Sequence, residues 1–163
     1  MIGTDPRAVD PVRSRAMNSY TRVVVGTDGS ETSYKAVTRA GAIAHASGAQ
    51  LLIVTAYRPL SQREQQEAAQ ALGAESYKVV GSHPADDVLR EACARIPAGV
   101  DVDTVAAEGE PVDVLVRTAI EREADLLVVG NRGLNTLTGR LLGSVPSVVT
   151  HRAQCDVLIV ATT

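Results

Sequence analysis

Four short apolar runs, Val23-Val24-Val25, Leu51-Leu52-Ile53-Val54, Leu126-Leu127-Val128-Val129 and Val157-Leu158-Ile159-Val160, constrain the fold of this chain more than any other feature. None alternates apolar with polar residues. A strand written this way is buried on both faces, which is the condition of a parallel sheet covered by helices above and below. The segments between the runs carry helical spacing. Over 30–47, Ala36, Val37, Ala40, Ile43 and Ala44 share one face, and Gly48 supplies a stop. Over 86–96, Val88, Leu89, Ala92 and Ile96 fall on one side. Pro111 suits the first turn of a helix that carries Val112, Leu115, Val116, Ala119 and Ile120.

Strands are expected over 22–26, 50–56, 125–129 and 156–160, and a short helix over 144–152. Residues 100–105 alternate apolar with polar, the pattern of a strand with one wet face at a sheet edge. Residues 62–72 are polar and helix-favouring. The whole reads as a three-layer α/β sandwich around a parallel sheet. Residues 1–18 are rich in Pro, Asp and Arg and lack apolar periodicity, so a disordered extension is expected there, with the folded domain over 19–163.

A chain of 163 residues suits one core. It has no Phe and no Trp, so Val, Leu, Ile and Ala must do the packing. The formal net charge is −3, without a basic run or interleaved aromatics, which argues against nucleic acid as a partner. No apolar stretch reaches membrane-span length, and the first residues lack the apolar core of a secretory signal. Cys93 and Cys155 stand apart, with no CxxC, and are expected as reduced thiols of a cytoplasmic protein.

Chemistry concentrates where two apolar runs end in glycine. Val25 leads into Gly26-Thr27-Asp28-Gly29, and Val129 into Gly130-Asn131-Arg132-Gly133, with Gly143-Ser144 following after a nine-residue spacer. Glycine permits positive φ and lets a ligand approach the backbone. Ser144 is placed to cap the following helix, whose free N–H groups and positive dipole end suit a phosphate. If the first and fourth strands are neighbours, the two turns face one another across the crevice in which open parallel sheets hold ligands. Asp28 is then either an acceptor for a ribose hydroxyl or exocyclic amine, or a turn and capping residue. Arg132 and Arg140 are candidates to offset phosphate charge. No Lys follows Gly143, which excludes a P-loop, and GxGxxG is missing after the first strand, which excludes the dinucleotide fingerprint.

Taken together, VVVGTDGSETS (Val23–Ser33), the EGEP turn (Glu108–Pro111) and ADLLVVGNRG…GRLLGSVPSVVTHRAQCDVLIV (Ala124–Val160) resemble the universal stress proteins. The pattern G-x2-G-x9-G-[S/T], carried by Gly130, Gly133, Gly143 and Ser144, marks their nucleotide-binding branch. The resemblance is closest to small single-domain actinobacterial members, including those that bind cyclic AMP as well as ATP. It implies an adenine nucleotide alpha hydrolase-like fold with five parallel strands in the order 3-2-1-4-5. It implies adenine near Gly26, Thr27, Asp28 and Ala56, and ribose and phosphates near Gly130, Asn131, Gly133, Gly143, Ser144 and Val145. ATP, AMP or cyclic AMP is the implied ligand, with Mg²⁺ arriving only with ATP, and no dedicated metal site is expected.

The expected function is that of a nucleotide sensor or sink in stress adaptation. A slow ATPase or autophosphorylating protein is the alternative, although no catalytic base stands out among His45, His83 and His151. The last strand is apolar yet, in the implied order, lies at an edge. A homodimer through that strand is therefore expected.

Overall fold

The computed structural model describes residues 19–59, 63, 66, 70, 83–131 and 143–162. Along the chain run β1 (Arg22–Gly26), α1 (Glu31–Ser47), β2 (Gln50–Tyr57), α2 (His83–Cys93), β3 (Val102–Glu108), α3 (Pro111–Glu121), β4 (Leu126–Gly130), α4 (Ser144–Arg152) and β5 (Asp156–Val160). Every neighbouring pair of strands is parallel, and the sheet order is β3-β2-β1-β4-β5, as the sequence reading expects. The expected extension over 1–18 and most of the polar segment 62–72 lie outside the described residues. Within that segment Arg63, Gln66 and Gln70 are helical.

Successive residues of a strand point to opposite faces, and this splits the apolar runs into two cores. Val23, Val25, Leu51, Ile53, Leu126 and Val128 pack with α1 and α2. Val24, Leu52, Val54, Leu127 and Val129 pack with α3 and α4 on the other side. The register puts Val24 level with Leu52 and Leu127, so three buried side chains stack across the middle of the sheet. Covering both faces explains why no polar residue interrupts these strands.

Helix α1 begins where Ser30 accepts the Ser33 N–H at 3.1 Å and ends at Gly48, in the left-handed region at φ 66°. Ala49 N–H then reaches back to the Ala44 carbonyl at 2.9 Å, closing the last turn. Its small residues let it pack closely on the sheet beside α2: Ala36, Val37, Ala40 and Ala44 are fully buried. A Cβ on Gly41 would stand 2.8 Å from Ile96 Cδ1. The two helices are also tied by Arg95, which lies 4.1 Å over the Tyr34 ring and pairs with Glu31 and Glu91.

Two elements are displaced by more than one residue from expectation. Helix α2 occupies 83–93 instead of 86–96, because Arg95 and Ile96 switch to bonds with the third residue back, Ala92 and Cys93, ahead of Pro97. Ile96 still packs against the core from that tightened turn. Strand β3 covers 102–108 instead of 100–105. It is a sheet edge, as its alternation implies, with Asp103, Thr104 and Glu108 exposed.

Candidate functional site

At the amino ends of the strands one carboxylate holds the sheet together. Asp125 Oδ2 accepts from the Thr21 N–H and hydroxyl, both at 2.7 Å, and Oδ1 accepts from the Arg22 N–H at 3.1 Å. Partial burial pushes this carboxyl up, but the bonds from Thr21 and Arg22 outweigh it and hold the group below its ordinary value. A cleft of about 300 Å³ lies at this same end, lined by Arg22, Leu52, Asp103, Arg122 and Glu123 among others. Its rim is closed on itself by the pairs Arg22–Glu123 (2.7 Å) and Arg122–Asp103 (3.3 Å). Ligands of open parallel sheets bind at the other end, beyond the carboxyl ends of the strands. The candidate site is built there.

Strands β1 and β4 are neighbours, with Val25 level with Val128. Counting on from that register, Gly130 comes level with Thr27. The turns after β1 and β4 therefore adjoin, which is the juxtaposition that sequence alone leaves conditional. The β1 turn is tightly organised. Thr27 is buried, its N–H donates to the Val54 carbonyl at 2.9 Å, and its hydroxyl shares a 2.8 Å bond with Ser33. Asp28 is exposed, and its Oδ1 accepts from the Ser30 N–H at 3.0 Å and the Ser30 hydroxyl at 2.6 Å. The carboxylate thus orders the cap of α1, the turn role among its two sequence readings. Ala56 is half-buried, one residue before the end of β2, and pairs with Ala107.

Two expectations about the glycine segment are corrected. Ser144 does not cap α4: it is the first helical residue and exposed, while Gly143 holds the cap position with no side-chain hydrogen bond. Positive φ is also not what Gly130 and Gly143 provide. Gly130 is the last residue of β4, and Gly143 has φ −59° and ψ 162°, which any residue adopts. Among the described glycines of these two turns, Gly29 is the left-handed one, at φ 79°. Gly143 contributes a buried stretch of backbone with no side chain. Gly26 is bare for another reason: a Cβ there would stand 2.8 Å from Leu115 Cδ1, so α3 packs directly on the β1 turn. Arg132, Gly133 and Arg140 lie outside the described residues.

Among the described residues, no side chain caps the head of α4. The Gly143 N–H is consumed by the Asn131 carbonyl at 3.1 Å, and Pro146 has no N–H. Among the described residues, the N–H groups of Ser144 and Val145 have no partner. The first turns of α1, α2 and α3 hold Glu31, Asp86 and Asp113, whereas that of α4 holds no acid. Its positive end is therefore not offset by its own first turn. Asn131 was a candidate ligand contact; it also proves to be a joint, with its carbonyl on Gly143 and its side-chain Oδ1 on Thr162. Thr162 and Leu115 are the site-building residues that sequence reasoning missed. Leu115 carried only a core signal, and Thr162 carried no pattern at all.

Among the described residues no group of three or more His, Cys, Asp or Glu is placed to hold a metal, and no helix is long and apolar enough to cross a membrane. Cys93 and Cys155 are unpaired and half-buried. Burial pushes both thiols up, with Asp156 and Asp125 adding to the effect at Cys155.

Comparison with known proteins gives concordant results. The model of the universal stress protein family matches residues 19–161. The chain is 53% identical over 149 residues to Universal stress protein Rv1636 of Mycobacterium tuberculosis (strain ATCC 25618 / H37Rv), covering 90% of this chain and 100% of that one. It is 30% identical over 152 residues to a universal stress protein of Thermus aquaticus, covering 86% and 98%. Among solved structures, a universal stress protein in complex with cAMP superimposes with a TM-score of 0.66 at 48% identity, over 90% of this chain and 100% of that one.

Proposed function

The chain belongs to the universal stress protein family, and on that premise we propose that it binds an adenine nucleotide (ATP, AMP or cyclic AMP) in the crevice between the β1 and β4 turns. It then serves as a nucleotide sensor or sink in stress adaptation. The observation that carries the reading is the head of α4. Two adjacent amides, Ser144 and Val145, stand without partners among the described residues at an uncapped helix start reached through a bare Gly143. Such a terminus takes a phosphate through N–H donors and the dipole together. The 48%-identical structure that holds cAMP supports the same ligand class.

In this reading Ser144 and Val145 bind phosphate, with Arg132 and Arg140 offsetting its charge. Gly130, Gly133 and Gly143 leave room for it, and Asn131 contributes its amide. Gly26, Thr27, Asp28 and Ala56 bound the base and ribose. The Thr27 N–H is already spent on Val54, so contact at that residue goes through its other atoms. Each amide at a helix start adds about 0.3–1 kcal/mol through the dipole, whereas micromolar binding needs about 8 kcal/mol. Burial of the purine must supply much of the difference. Mg²⁺ would arrive with ATP, and any hydrolysis would be slow, since no catalytic base stands out among His45, His83 and His151. A reducing, cytoplasmic setting fits the two unpaired thiols. A homodimer through β5 belongs to the same proposal.

Calorimetric titration of the full chain with ATP, AMP and cyclic AMP tests this. At least one should bind with micromolar affinity. Gly143→Ala should weaken it about tenfold with unchanged circular dichroism, because φ −59° suits alanine and the loss then comes from the added methyl against the ligand. Silence with all three nucleotides would sink the proposal.

A further inference from the structure

Among the described residues, Asn131 closes β4 with all but one of its polar atoms committed. Its N–H donates to the Val160 carbonyl at 2.9 Å, adding a rung to the β4–β5 ladder, and its carbonyl accepts from the Gly143 N–H at 3.1 Å. Its side-chain Oδ1 accepts from both the N–H (3.0 Å) and the hydroxyl (2.6 Å) of Thr162. A backbone N–H is an obligatory donor, so the amide has one workable orientation, with oxygen on Thr162 and nitrogen on the opposite branch. Among the described residues that nitrogen has no hydrogen-bond partner. It is a donor of fixed orientation at the tip of β4.

Thr162 is well anchored for this task. It is 1% exposed and lies two residues beyond β5, and its own carbonyl accepts from Lys35 Nζ of α1 at 2.9 Å. Simply finishing the strand would require only its backbone. Here the N–H and hydroxyl converge on one side-chain oxygen of residue 131, and the carbonyl of that same residue holds Gly143 at the head of α4.

We propose that Thr162 is a positioning residue for the phosphate turn: by gripping the Asn131 amide oxygen it presents Nδ2 to a phosphoryl oxygen of an adenosine phosphate and holds the carbonyl that seats Gly143 at the start of α4. The assignment rests on the nucleotide reading above and deepens it. Thr162 itself does not touch the ligand.

The test compares the full chain with Thr162→Val, which keeps shape and N–H but loses the hydroxyl, and Thr162→Ser, which restores the hydroxyl. AMP and cyclic AMP should bind Thr162→Val about three- to tenfold more weakly, the worth of one hydrogen bond, with adenosine affected less than about twofold. Thr162→Ser should stay close to the wild type. Adding Thr162→Val to Asn131→Ala should cost nothing more, since both cut one link. Without ligand, hydrogen exchange at the Gly143 amide should quicken in Thr162→Val and not in Thr162→Ser, while the Val24 and Leu127 amides keep their protection.

Equal losses for AMP and adenosine, or Gly143 exchange that does not change, would overturn the assignment. A wild type that binds AMP beside a Thr162→Val that binds it equally well ends this assignment alone. A wild type that binds none of the ligands ends the nucleotide reading and this one with it.

Discussion

Gly29 and Gly48 both occupy the left-handed region, at φ 79° and 66°, yet their surroundings differ. Nothing lies within 4 Å of a Cβ built on Gly48, whereas one on Gly29 would stand 2.7 Å from Val88 Cγ2 of α2. Gly48→Ala should therefore cost only the backbone term, about 1 kcal/mol. Gly29→Ala should cost that plus the overlap, about 2–3 kcal/mol. Val88→Ala added to Gly29→Ala should return part of the loss, and urea unfolding of the four proteins measures it. Equal losses at the two glycines would show that α2 does not press on the β1 turn. The sequence places both glycines correctly, one after a strand and one after a helix. What it does not distinguish is a glycine needed for its φ from one needed for space, such as Gly26 under Leu115.

Between elements, the most economical joint is Asp125, just ahead of β4, which takes three hydrogen bonds from the residues at the start of β1. Its own carbonyl accepts from the Asp156 N–H at 3.3 Å, so β1, β4 and β5 are aligned at one point. The carboxyl is held below its ordinary value, so the unfolded chain binds its proton more readily than the folded one. The stabilisation is then present above the unfolded value, about 3.9, and fades as pH falls through the lower folded value. Asp125→Asn should cost about 1–2 kcal/mol near pH 7, discounted for partial solvation. The gap to wild type should narrow below about pH 4. Denaturant melts at pH 7, 5 and 3.5 would check this, and a gap that does not vary with pH would contradict it. At the opposite end the same logic separates α1 from α4. Ser30 and Asp28 close the head of α1, while Gly143 gives that of α4 no side-chain cap.

Across the whole molecule the two sheet edges are unlike. Strand β3 shows Asp103, Thr104 and Glu108 to solvent, which discourages pairing with another sheet. Strand β5 ends the sheet with Val157, Leu158, Ile159 and Val160, all half-buried in the single chain. An apolar edge left in that state is completed most simply by a second copy. Sedimentation at tens of micromolar should give a dimer, with the β5 amides protected from exchange beyond what one chain provides. A monomer at that concentration would remove the proposed dimer without touching the nucleotide site. Because Thr162 follows β5 and its N–H and hydroxyl donate to Asn131 Oδ1, the proposed phosphate turn and the proposed dimer edge would share neighbouring residues.

The layered α/β sandwich was legible in the residues: uninterrupted apolar runs require two covering layers, and Gly48 and Pro111 mark helix ends through local backbone chemistry alone. The strand order came with the family pattern, whose Gly130, Gly143 and Ser144 lie at the carboxyl end of the sheet. Tertiary structure alone decided which groups at that end remain available. The Gly143 and Thr27 amides are spent on Asn131 and Val54, Asp28 is drawn into the α1 cap, and Thr162 sets the Asn131 amide. Pattern records what a residue does to its own neighbourhood. Which donor is free depends on partners as far as 31 positions away, and only folding brings those together.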